Sequence, residues 1–287
     1  MTGSLLICRS FAWTLALVFF ATAVSGCVSF KEIKAFASVS ANAASHDALT
    51  RNYIEAPDRR KQYQPEKFHG ELEAQKARRE AQRASLDLLQ QTVTDYMQAL
   101  EGLATGDIRP YDKSLTNLSS DLNDATLLDR NEKEAVEALS TILARTVTAT
   151  YRLHELKKIV EESNQPLLDI ISATRKIVKK GIAPDLQVES TLVERYYDNF
   201  MLAPDNPPEP VAMALAKEVR AEALGRLENR LRSIQAYGVV LEKIAGGHQY
   251  LYDHRDMIGD DEFGRQLKQY TGELRAAYKS LLDISRE

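Results

Sequence analysis

Cysteine is nearly missing from this chain. The two it has, Cys8 and Cys27, both lie near the N-terminus. The body of the chain beyond them can form no disulfide, no cysteine-ligated metal centre and no thiol nucleophile. A chain this long can bury an adequate core without crosslinks. Tryptophan is rarer still, with Trp13 alone. Glycine (13) and proline (9) are sparse, which argues against a fold of many short strands and tight turns. No window alternates apolar and polar residues between turn pairs as a half-buried strand would. Positive charge is not in excess: 37 Lys and Arg stand against 41 Asp and Glu, net −4, evenly spread. With no basic block to neutralise phosphates, nucleic-acid binding is disfavoured.

Chemical motifs are missing too. There is no G-x-S-x-G nucleophile elbow, no phosphate loop and no dinucleotide fingerprint, and no cofactor is implied. Carboxylates are plentiful, but Glu161-Glu162 and Asp260-Asp261 read as charge at helix ends. No set of residues suggests catalysis, so the chain is expected not to be an enzyme.

What is present is helical spacing. Leu86, Leu89, Val93, Tyr96, Leu100 and Leu103 follow alternating steps of three and four. So do Tyr111, Leu115, Leu118, Leu122 and Ala125, and Val136, Leu139, Leu143, Thr146, Thr150 and Leu153. Leu224, Leu227, Leu231, Ile234, Gly238 and Leu241 repeat the rule, and Phe263, Leu267, Tyr270, Leu274, Ala277, Leu281 and Ile284 give the cleanest run. Such steps draw one stripe along a helix, the seam of a left-handed bundle. With proline as punctuation, the sequence predicts helices near 30–55, 66–104, 111–126, 131–163, 167–180, 185–202, 211–256 and 260–285. Lys179-Lys180-Gly181 suits a helix end. The fold class that follows is all-α: an elongated bundle of long, antiparallel, coiled-coil-like helices in one domain over 61–287. Residues 28–50 are read either as a helix packed by Phe30, Ile33 and Phe36 or as a flexible tether.

The first 26 residues carry no acid, one base (Arg9) and an apolar run from Phe11 to Val24. The run is short for a bilayer crossing and has the proportions of a signal-peptide core. It ends in Val24-Ser25-Gly26-Cys27. This tetrad resembles the lipobox of bacterial lipoproteins, an aliphatic residue and two small ones before cysteine. The resemblance implies that residues 1–26 are cleaved and that Cys27 is acylated as the first mature residue. Residues 27–60 would then be the anchor with its tether or helix. Val28, where such proteins carry aspartate for inner-membrane retention, implies the outer membrane facing the periplasm.

Five histidines remain: His46, His69, His154, His248 and His254. Glu66-Lys67-Phe68-His69 has the Glu-x-x-His spacing of bundle di-iron sites, but such a site needs a second copy and two further glutamates, so no metal site is expected. His154-Glu155 opens like a zinc-protease helix, yet position 158 is lysine. The most unusual stretch is "AGGHQYLYDHRDMIGDDEF", residues 245–263. Two adjacent glycines in a helix cost about 1 kcal/mol each relative to alanine. One reading is an exposed partner-contact cluster of Tyr250, Tyr252, Asp253, His254 and Arg255. The other is close helix packing around a buried, hydrogen-bonded His248. His154 and His248 are the candidate ligand-binding histidines. The expected function is a lipid-anchored helical interaction or scaffold module for another envelope protein, or one that self-associates, with accessory and immunity-type roles included. The alternative is a ligand- or metal-binding bundle.

Overall fold

The computed structural model describes residues 28–106, 128–146, 152–202 and 209–284. Among the described residues there are nine α-helices and no strand: α1 Val28–Ala44, α2 Asp47–Lys61, α3 His69–Glu80, α4 Arg83–Thr105, α5 Arg130–Thr146, α6 Arg152–Ile177, α7 Ala183–Met201, α8 Pro210–Asp253 and α9 Asp261–Ile284. The fold is the all-α bundle that the periodicity predicts. The stripe Leu86–Leu103 is buried at all six positions on α4, and Phe263, Leu267, Leu274 and Leu281 are buried on α9. The predicted helix 111–126 lies outside the described residues. Among these residues no helix is long and apolar enough to cross a membrane.

Pairs of contacts give the directions. Tyr237 Oη donates to the Ala44 carbonyl at 2.6 Å, while Gly247 lies against Phe36. α1 therefore runs antiparallel to α8. Tyr250 stacks on Phe263, and Lys243 pairs with Glu273 at 2.7 Å, so α8 and α9 are antiparallel. Arg175–Glu242 and Arg255–Glu161 set α6 antiparallel to α8 as well. Residues 28–50 are helical, with Ile33, Phe36 and Leu49 fully buried in the common core.

Proline and glycine punctuate less than expected. Pro57 and Pro166 lie inside α2 and α6. A helical proline frees the carbonyl four residues back. For Pro57 that is Tyr53, and its oxygen accepts a hydrogen bond from Arg79 Nη1 at 2.7 Å. Tertiary contact thus replaces the missing donor. Gly181 does not end a helix either. It lies in a π-helical turn, Val178–Ile182, that joins α6 to α7 without a break, and the Ala183 N–H reaches the Val178 carbonyl five residues back. Pro184 follows in the first turn of α7, where a missing N–H costs little. Conversely, the predicted 30–55 and 66–104 helices are each divided. At the first break Tyr237 takes the Ala44 carbonyl, and the His46 N–H donates to Gln90 Oε1 at 2.8 Å. Those bonds satisfy groups that helix ends leave unpaired. His69 works similarly at the end of α2. Its Nε2 lies 3.0 Å from the Lys61 carbonyl and 3.1 Å from that of Gln64. α5 opens with a reciprocal cap: the Asp129 N–H donates to Glu132, and the Glu132 N–H to Asp129.

The two glycines at 246 and 247 differ in their surroundings. A Cβ on Gly247 would lie 2.2 Å from Phe36 Cε2, whereas one on Gly246 would meet only Tyr270 Cε1, at 3.9 Å. Phe36 is fully buried and has no room to retreat. Gly247→Ala is therefore expected to destabilise the bundle by about 1–3 kcal/mol through overpacking. Gly246→Ala is expected to be neutral or to stabilise by up to about 1 kcal/mol, the helix-propensity gain. Urea unfolding of the two variants checks the difference in sign.

Candidate functional site

Residues 245–263 form the end of α8, a 3₁₀ turn at Arg255–Met257 and the start of α9. Gly247 lets α1 approach, and the next residue, His248, is fully buried. Asn164 Nδ2 donates to Gln249 Oε1 at 3.0 Å, so its Oδ1 faces His248 Nδ1 at 2.9 Å as an acceptor. The network thus assigns the ring proton to Nδ1. Nε2 then accepts the Tyr96 hydroxyl at 2.6 Å. Ser163 Oγ lies 2.6 Å from Tyr96 Oη and 2.6 Å from the Ile159 carbonyl, with one proton for the two. Burial pushes the His248 pKa down to about 3 and the Tyr96 hydroxyl up. The imidazole is neutral, both nitrogens are engaged, and no solvent reaches it. This chain of polar groups ties α4, α6 and α8 at one level.

His154 stands apart. It is exposed on α6, ten residues before Asn164, or about 15 Å along the axis. The two candidate ligand histidines are not brought together. Among the described residues no group of three or more His, Cys, Asp or Glu side chains is placed to hold a metal ion.

The candidate contact cluster is half-buried and largely engaged within the chain. The Tyr250 ring stacks on His254 with centroids 4.3 Å apart, and lies 5.7 Å from Phe263 and 5.2 Å from Tyr270. The Arg255 guanidinium lies over the Tyr252 ring, donates to the Tyr252 carbonyl and pairs with Glu161 at 3.3 Å. Asp253 is exposed and accepts from Gln249.

Two features were not singled out in the sequence. The first is a charge network between α2, α3 and α7. Arg79 grips Asp185 through both terminal nitrogens (2.6 and 3.0 Å), and Arg60 reaches the same carboxylate at 3.4 Å. Arg59 holds the buried Glu189 through Nε (2.8 Å) and Nη2 (3.0 Å). These pairs fix the α2–α3 hairpin on α7. Removing one partner of such a pair typically costs about 3–5 kcal/mol, far more than a surface pair would.

The second is an apolar surface on the α7–α8 hairpin. Of the twelve large hydrophobic side chains exposed among the described residues, seven belong to it: Val188, Tyr196, Phe200, Leu202, Val211, Leu215 and Val219. Val211 is 80% exposed, Leu202 76% and Leu215 59%. Val211, Leu215 and Val219 recur every four residues on α8, and Val188, Tyr196 and Phe200 fall on a four-residue step on α7. A strict step of four drifts away from the buried seam, and that drift is the sequence signal for this face. Singly exposed apolar residues are ordinary, but seven of them along one pair of helices make that pair the candidate interaction surface.

Titration provides a test of the buried histidine. His46 is also held neutral, its pKa lowered to about 4 by burial, against Asp47, with Arg51 adding to the drop. In the unfolded chain both would titrate near 6.5. Between about pH 6.5 and 4 the unfolded state therefore binds more protons, and stability falls as pH falls. Each histidine contributes a slope approaching about 1.4 kcal/mol per pH unit. Urea unfolding from pH 7.5 to 4.5 should show this loss, and His248→Gln should remove one histidine's share of the slope. An unchanged slope would mean that His248 is solvated.

Comparison with protein families, with curated proteins and with solved structures finds no match to this chain.

Proposed function

We propose that this chain is a bacterial envelope lipoprotein, acylated at Cys27, whose helical bundle binds another envelope protein. The observation that carries the binding role is the apolar surface of the α7–α8 hairpin, which holds seven of the twelve large apolar side chains exposed among the described residues. The anchor rests on the lipobox-like tetrad before Cys27. Two or three acyl chains on one residue hold a protein stably, where one binds marginally. Val28 after the anchor supports the outer membrane, facing the periplasm. The role is that of a scaffold, an assembly or transport accessory, or an immunity-type inhibitor. All three require a stable surface and no chemistry.

The test combines localisation with partner recovery. Tagged beyond Glu287, crosslinked in cells and solubilised from the envelope, the protein should bring down one stoichiometric partner. Cys27→Ser should lose the acyl mass increment and leave the membrane fraction. Leu215→Arg, at an exposed position, should keep the fold by circular dichroism and reduce partner recovery at least tenfold. That factor corresponds to about 1.4 kcal/mol of lost contact. Undiminished recovery with Leu215→Arg would remove the hairpin from the role. A folded, anchored protein with no partner would remove the role itself.

A further inference from the structure

The anchor proposed at Cys27 is one residue away from the first described helix. Helix α1 begins at Val28, the next residue, and adjacent Cα atoms are 3.8 Å apart. Nor can α1 peel away to serve as a tether. Ile33, Phe36 and Ala37 are fully exposure-free in the core, and Phe36 lies against the backbone of Gly247. A group attached at Cys27 is therefore covalently tied to whichever end of the bundle holds the start of α1.

That end is identified by register. Ala44 lies beside Tyr237 and Phe36 beside Gly247. Eight residues further back, at 1.5 Å each, Val28 reaches the level of Arg255–Met257. The start of α6 is there too, since Lys157 pairs with Asp256 at 3.4 Å and Glu161 with Arg255. At this end two large apolar side chains are exposed, Leu153 (43%) and Met257 (39%). Leu153 is the sixth member of a stripe predicted to be buried, and it breaks the rule here. Close by, the half-buried Tyr252 carries the Arg255 guanidinium on its ring, an apolar body with a polar rim that suits a headgroup layer. Lys31, Lys157, Lys158 and Arg255 share the end with Asp253, Asp256, Asp260 and Glu161. The contact is therefore apolar, with no basic excess to demand anionic lipid.

We propose that the bundle stands end-on upon the bilayer, with Leu153 and Met257 dipping into the lipid interface beside the acylated Cys27. The occupant of this surface is the membrane that holds the anchor. The α7–α8 hairpin then projects about 60 Å outward, 42 residues of α8 separating Val211 from Asp253. The inference rests on the lipoprotein reading of Cys27 and adds an orientation to it.

The near absence of tryptophan makes this measurable. Once residues 1–26 are removed, the chain has none. Leu153→Trp, Met257→Trp and Leu215→Trp each place one indole at an exposed position, the last as the distal control. The full-length variants are expressed in a host that lipidates them, and acylation is read by intact mass. They are then reconstituted into phosphatidylcholine vesicles with brominated acyl chains. Interfacial side chains lie about 5–10 Å into the headgroup and acyl boundary, within reach of the bromines. The expected result is fluorescence loss on the order of half at 153 and 257, and none at 215. Equal quenching at 215 would mean that the bundle lies flat, and overturns the orientation. No quenching at 153 and 257 in protein that floats with the vesicles also overturns it, while leaving the anchor standing. Protein without the acyl increment that fails to float overturns both.

Discussion

The Phe36 ring occupies the space that a side chain at 247 would need, and much of the bundle depends on that approach. It requires glycine on α8, fixes the register of α1 and brings the backbones of two helices close together. Ile33 and Leu49 are then carried into the core, and His46 stacks on Tyr237 with centroids 5.0 Å apart. The same register decides which end of the molecule holds Val28, and so where any group attached just before it must be.

Around this apolar contact the bundle places polar groups that discriminate between arrangements. Apolar helices can slide past one another with little change in buried area. Tyr96, Ser163, Asn164 and His248 cannot, because a shifted helix would leave a buried donor or acceptor unpaired at about 1–3 kcal/mol each. The arginine and carboxylate network of α2, α3 and α7 acts likewise. Arg79 has two tasks there: it holds Asp185 and also satisfies the carbonyl freed by Pro57. A single side chain thus makes a proline tolerable inside a helix and fixes that helix to its neighbour.

The molecule is polar in the sense of having two unlike ends. One gathers the start of α1, the start of α6 and the turn after α8, with Leu153 and Met257 exposed. The other is the hairpin with its apolar face. The long helix α8 spans both. Under the proposed reading the bundle would be held at one end and adhesive at the other, which is the physical content of the scaffold role.

The stripes Leu86–Leu103 and Phe263–Leu281 were legible in the sequence because a 3-4 spacing on a helix has one buried solution. The helical class and the extent of α8 followed from the same spacing and from scarce glycine and proline. The buried, hydrogen-bonded His248 was legible as one of two readings, because the periodicity ran through it. The breaks at Ser45 and at Ala81-Gln82, and the continuity through Pro57, Pro166 and Gly181, were not. Whether a helix ends or bends depends on which groups satisfy its unpaired carbonyls and N–H groups, and Tyr237, Gln90 and Arg79 come from elsewhere in the chain. The charge network and the hairpin's apolar face were hidden for a related reason. Arg79 and Asp185 are 106 residues apart, and Leu215 resembles any core leucine until the fold shows that nothing covers it. Local spacing alone determined the helices and their buried faces. Tertiary structure decided their ends, their partners and the surface left open, because those depend on groups that only folding brings together.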